Sequence, residues 1–328
     1  MNHTTKRERD IAIDIVKFMA VFLIINSHAD IMYPKLKILA TGGAIGDCLF
    51  LFCSGFTLFM GAQTSFGNYY KRRIARIYPS VFASVAFIHI VSQNPSIEWI
   101  ELVCAKPFIV AIMVYYISLY FIRKYAFEKI KMIFAATFVI TLVAYIWFPY
   151  KYETGSKGLY GITSYYRWIP YFGAMLLGAY IGIKRKSLRY DGWMDFVKLM
   201  VCILFFYSIQ FVAKKYPPVA PWQIVTIAPL MGIVVYFYKW CNNGFFRRIY
   251  ESKAGKAVIL AVGGLCLESY LIQYALFTSK LNHIWPLNLL IITLVILVCS
   301  YLVRCFARLF AQTFRTENYE WKKIISLY

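Results

Sequence analysis

The stretch "AIDIVKFMAVFLIINSHAD", residues 12–30, is written almost entirely in Ala, Val, Ile, Leu, Phe and Met, yet it carries Asp14, Lys17 and His28. A run of this length and composition reads as a membrane-spanning helix, in which every backbone N–H and C=O is bonded within the segment. Ionisable side chains in such a helix are costly, so they turn toward a protein interior or a water-filled cavity. At 100° per residue, the eleven steps from Lys17 to His28 close to within ~20° of whole turns, and Asp14 stands one turn before Lys17. The three fall on one stripe with Val21 and Ile25 between them, and His28 lies ~16 Å farther along the helix than Lys17. The spacing predicts a helix whose polar stripe lines a cavity.

The rest of the chain has the same character. Of its 328 residues 60% are hydrophobic and only 16% charged, with a mean hydropathy of +0.58, too little charge to coat a soluble globule. Aromatics make up 19%, and many Tyr and Trp stand beside apolar runs, where amphipathic rings settle at membrane interfaces. The expected fold class is all-α: a polytopic integral membrane protein of about ten transmembrane helices. They are placed near 11–29, 40–62, 79–92, 107–122, 131–149, 168–184, 195–213, 219–239, 257–279 and 286–310. The net charge of +21 does not point to nucleic acid, because the basic residues lie in short clusters between apolar runs and not on one soluble face. With the N-terminus inside, 25 of the 36 Lys and Arg fall in cytoplasmic segments and 9 in outer loops, with Lys17 and Lys198 inside spans. That bias predicts cytoplasmic termini.

The N-terminal "MNHTTKRERD" mimics the basic region of a signal peptide, but no small-residue cleavage site follows, so the first helix is expected to be retained. The eight cysteines show no pairing or zinc spacing; Cys48, Cys53, Cys202 and Cys266 read as small core residues, and no metal is expected. One domain over 1–328 is expected, with no appended soluble domain. The longest outer loop, "YKYETGSKGLYGITSYYR" (150–167), is polar and aromatic and suited to touching a ligand.

Three motifs then stand in order within 80 residues. "IDIVKFMAVFLIINSH" resembles the first helix of the membrane acyltransferase family called acyltransferase type 3, where an acid is followed by two residues, an arginine, ten residues and a histidine. Asp14 and His28 match, and Lys17 stands where arginine is usual. "GDCLFLFCSGFTL" (46–58) is similar to the family's signature of two aromatics, two residues and Ser-Gly-Phe. Phe50, Ser54, Gly55 and Phe56 fit, and Leu51 replaces the second aromatic. "YKRRIARIYPS" (70–80) carries the family's Arg-x-x-Arg as Arg73 and Arg76, just before Tyr78-Pro79. "RWIPYFGAMLLGAYIG" (167–182) and "LCLESYLIQYAL" (265–276) are weaker matches, the latter with Gln273 where many members have histidine.

The resemblance implies transfer of an acyl group, usually acetyl from acetyl-coenzyme A, to a hydroxyl of a glycan or its lipid-linked precursor. It also implies residence among the lipids of a cell membrane, by family and size a bacterial inner membrane. The residues suit that chemistry. Guanidiniums bind phosphate with a bidentate fork, so Arg72, Arg73 and Arg76, with Lys71 and Lys17, are the expected donor-binding groups. A neutral imidazole removes a hydroxyl proton at physiological pH, making His28 the expected general base, or a nucleophile that carries the acyl group. Asp14 and Glu268 are the other costly residues assigned to the site. Both are placed with His28 in the catalytic group; the plainer alternative for Glu268 is an interhelical contact to Lys198 or a Tyr hydroxyl, and Ser54, beside a glycine, is expected to shape the acyl pocket. Two rivals use similar features: a transporter or flippase of lipid-linked sugars acting without chemistry, and a glycan polymerase with its chemistry on a large outer loop. Transporters often show two related halves; this chain shows no duplication.

Overall fold

The computed structural model describes residues 9–93, 98–104, 106–147 and 166–328. His3, Lys6, Arg7 and all of the 150–167 loop except Tyr166 and Arg167 lie outside the described residues. The described residues form helices and no strand: α1 (Ile11–His28), α2 (Gly43–Phe59), α3 (Phe66–Ser92), α4 (Trp99–Cys104), α5 (Pro107–Tyr125), α6 (Ile130–Trp147), α7 (Trp168–Lys184), α8 (Gly192–Lys215), α9 (Ile227–Cys241), α10 (Gly244–Glu251), α11 (Lys253–Gly264), α12 (Cys266–Leu276), α13 (Leu287–Thr313) and α14 (Trp321–Ile324). Each of the ten expected segments falls on helix. Among the described residues eight segments are long and apolar enough to cross a membrane, or nine if α11 and α12 together make one broken span. The remaining segment is α7, whose 17 residues rise about 26 Å, at the short limit for a ~30 Å hydrocarbon core.

Helix α1 occupies the middle of the assembly, packed against α2, α9, α11 and α12. Asp10 caps it, accepting from the Ile13 N–H at 3.3 Å and so satisfying one of the orphan donors of the first turn. Helices α2 and α7 make the closest crossing. A Cβ at Gly55 would lie 1.8 Å from the Met175 carbonyl oxygen, and one at Gly178 would lie 2.0 Å from that of Phe52. Small residues at such a crossing let backbones touch where lipid supplies no hydrophobic drive between helices. Gly178→Ala is therefore expected to cost ~1–3 kcal/mol through forced backbone shifts. Gly67→Ala, with open space around it, is the control. Equal thermal midpoints for the two variants in detergent would refute this account of the crossing.

Helix α3 begins thirteen residues earlier than the expected third span, so "YKRRIARIYPS" is helical and carries Pro79 in its interior. Proline has no N–H, so the Ala75 carbonyl lacks its usual helical donor. The expected ninth span is broken at Gly264–Leu265, where α11 and α12 meet at a 68° bend.

Candidate active site

One cavity of about 800 Å³ reaches into the bundle between α1, α2, α3, α5, α11, α12 and α13. It gathers seven of the nine residues singled out from the sequence: Asp14, Lys17, Ser54, Arg72, Arg73, Arg76 and Glu268, but neither Lys71 nor His28. Four cations not singled out also line it: Arg9, Arg123, Arg304 and Arg308. Against these charges stand two side-chain carboxylates, so the wall is strongly cationic.

The partners inside it differ from those expected. Asp14 does not pair with Lys17. Its carboxylate takes a two-point bond from Arg9 (Nε to Oδ2 2.5 Å, Nη2 to Oδ1 3.0 Å) and a third from the Tyr250 hydroxyl at 2.8 Å. A guanidinium offers the planar fork that an ammonium lacks, and Arg9 folds back onto the first turn from just outside the helix. Burial and the adjacent Asp14 push the Tyr250 phenol up to about 12, so it stays a donor at neutral pH. Glu268, 5% exposed, meets neither Lys198 nor a tyrosine. Its Oε1 accepts from the Ser80 hydroxyl at 2.7 Å, and Arg304 lies within electrostatic reach. The helix break admits that arginine, because a Cβ at Gly264 would lie 2.5 Å from its Nη1. Ser54 lies beside Tyr116 on the cavity wall. Arg123 clamps the end of α2, donating to the Gly61 carbonyl.

Several buried polar atoms on this wall have no partner among the described residues: Nε of Arg73, Nε of Arg304, Oε2 of Glu268 and the Tyr69 hydroxyl. Such groups are rare unless water or a ligand completes them. Two orphaned guanidinium nitrogens in a cationic cavity fit an anionic, phosphate-bearing ligand.

His28 is not on this wall. Val21 and Ile25, which share its stripe, are buried in an apolar cluster with Ile292 and Ile296 of α13, so the polar stripe is interrupted halfway along α1. Aromatic rings stand between: Phe50 and Phe108 line the cavity's inner end, with centroids 6.1 Å apart, and Phe108 packs on Tyr270 at 5.4 Å. Tyr270 in turn faces the imidazole at 6.5 Å and Tyr274 meets it edge-on at 4.9 Å. The imidazole Nδ1 lies 3.1 Å from the Ile24 carbonyl oxygen and 2.9 Å from the Ser27 hydroxyl. A carbonyl only accepts, so in the tautomer with the proton on Nδ1 the ring donates to Ile24 and Nε2 keeps its lone pair. Asp47 of α2, not singled out from the sequence, lies within electrostatic reach of Arg167, Tyr270 and Tyr274 at this same end.

A family model described as an acyltransferase domain, of the type 3 family, matches residues 10–305. The chain belongs to the type 3 acyltransferase family. No match was found among curated proteins or among solved structures. In this membrane acyltransferase the matched region holds every residue singled out from the sequence and also Arg304, while Arg308 and the segment after it lie beyond.

Proposed function

We propose that this acyltransferase takes an acyl group, acetyl in the simplest case, from acyl-coenzyme A and passes it to a hydroxyl of a cell-surface polysaccharide or its lipid-linked precursor. The observation that carries this is the cationic cavity, where Arg73 and Arg304 hold unpartnered nitrogens among further basic side chains. Coenzyme A brings phosphates matched to those groups and a long pantetheine arm able to enter the inner end lined by Phe50, Ser54 and Phe108. The arm must pass the rings of Phe108 and Tyr270 to bring its thioester to His28, ~16 Å beyond Lys17. There Nε2 takes the proton of the acceptor hydroxyl, the oxygen attacks the thioester carbonyl, and the carbon–sulfur bond breaks to release coenzyme A thiolate. The positive-inside charge bias supports ten spans with the cavity mouth and both termini at the cytoplasm, where the donor is made; family and size suit a bacterial inner membrane.

Membrane vesicles of both orientations test the donor and the sidedness together. Acetyl-coenzyme A added to everted vesicles bearing acceptor glycans should release free thiol, and added to right-side-out vesicles it should not. Thiol release confined to right-side-out vesicles would reverse the orientation. The broken α11–α12 helix is a feature shared with transporters; movement of lipid-linked sugar between leaflets without any acyl donor, and with no thiol release, would favour that reading.

A further inference from the structure

Helix α13 carries Arg304 and Arg308 one turn apart, facing the cavity across from Arg73 and Arg76 of α3. Residues 323–328 lie directly over this pair. Arg304 donates to the Leu327 carbonyl, and Arg308 Nη1 donates to the carbonyls of Lys323 (3.1 Å), Ile324 (3.2 Å) and Ser326 (2.5 Å). The Tyr301 hydroxyl adds a bond to the Ile325 carbonyl at 2.7 Å, and Tyr328 itself lines the cavity. Little else holds the segment: Ile324 is 3% exposed, whereas Ile325, Leu327 and Tyr328 are all more than half exposed.

The acceptors on these two guanidiniums are thus neutral backbone oxygens of a weakly anchored segment. An anionic oxygen makes a hydrogen bond roughly twice as strong in the same place. Neither Lys322 nor Lys323 makes the segment an anion mimic, and the Lys323 ammonium is occupied by Glu320 at 2.5 Å.

We propose that Arg304 and Arg308 form a second phosphate subsite of the cavity, and that residues 323–328 are a strap over it which an entering phosphate-bearing ligand displaces. The inference rests on the donor reading above and extends it. The carbonyls of the strap hold the guanidiniums in place until phosphate oxygens replace them. Donor binding and strap release are then linked, and each weakens the other's competitor.

Hydrogen exchange and binding measurements on the full-length protein, with coenzyme A as the probe, test this. The peptide covering 321–328 should exchange faster when coenzyme A saturates the cavity. Arg308→Gln should weaken coenzyme A binding by about tenfold, the loss of one charged hydrogen bond. Ile324→Ala, which keeps the backbone carbonyl that accepts from Arg308 and removes only the buried side chain, should tighten it roughly 3- to 10-fold by loosening the strap's anchor. Phosphatidylglycerol supplied in place of coenzyme A separates a lipid phosphate from a nucleotide one. Strap release by the lipid and not by coenzyme A would overturn the assignment to the donor. If coenzyme A binds and needs Arg73 and Arg76, yet strap exchange and both variants are unchanged, the strap inference fails alone. If coenzyme A does not bind at all, the donor reading fails and this inference with it.

Discussion

His28→Ala is expected to lower acyl transfer by ~100- to 10,000-fold, the usual cost of removing a general base, while leaving coenzyme A binding at its wild-type level. The two parts of this expectation come from separate observations. The Ile24 carbonyl beside Nδ1 favours the tautomer that leaves the lone pair on Nε2. Donor affinity is untouched because His28 is not part of the cationic wall. The imidazole is half-buried among Tyr270 and Tyr274, so truncation opens space without stranding a charge. His28→Gln serves as a second variant, filling that space and restoring a hydrogen bond but not the base. Near-native transfer by either folded variant would remove His28 from the chemistry. A loss of coenzyme A binding equal to the loss of rate would instead make it a structural residue.

The double change Arg73→Gln with Arg76→Gln should weaken coenzyme A binding on the order of 100-fold or more, since each charged hydrogen bond lost is worth ~1.5–3 kcal/mol. Now that the segment is known to be helical, the two side chains share a face of α3 one turn apart. Arg73 also leans over the Tyr69 ring at 5.6 Å, which orients its fork toward the cavity. The residual binding should depend less on salt, because two fewer guanidiniums attract the phosphates. Lys71 and Arg72 remain at the same helix end, so the positive-inside signal survives and topology serves as the internal control. Unchanged affinity and unchanged salt dependence would return both residues to the role of membrane-loop charges.

Much of this was legible one element at a time. The apolar run around Asp14, Lys17 and His28 predicted a membrane helix, and the cationic group before Tyr78-Pro79 predicted a charged mouth. The failures involve partners that lie outside the helix being read. Helical angles place Lys17 beside Asp14, but nothing local shows that Arg9 and Tyr250 reach the carboxylate first. Val21 and Ile25 share the stripe by periodicity, yet α13 supplies apolar side chains that claim them. Arg304 and Arg308 did leave a signal: two arginines one turn apart near the end of a run as apolar as 286–310 are costly unless they face a cavity. Asp47 left the same signal, an acid within an apolar run. The Gly263-Gly264 pair marked the break in the ninth segment, since adjacent glycines weaken a helix interior. The angle of the bend depends on the helices packed around it.

The aromatic partition has a consequence for the cell as a whole. A continuous polar stripe from Arg9 to His28 would be a wet path for protons and small ions through a bilayer that must hold a voltage. With Val21 and Ile25 buried among apolar side chains and the rings of Phe50, Phe108 and Tyr270 packed in series, the described residues break that path with apolar groups, which a hydrated ion crosses only at high cost. On the proposed donor route, a slender arm passing between these rings would itself fill the gap it opens.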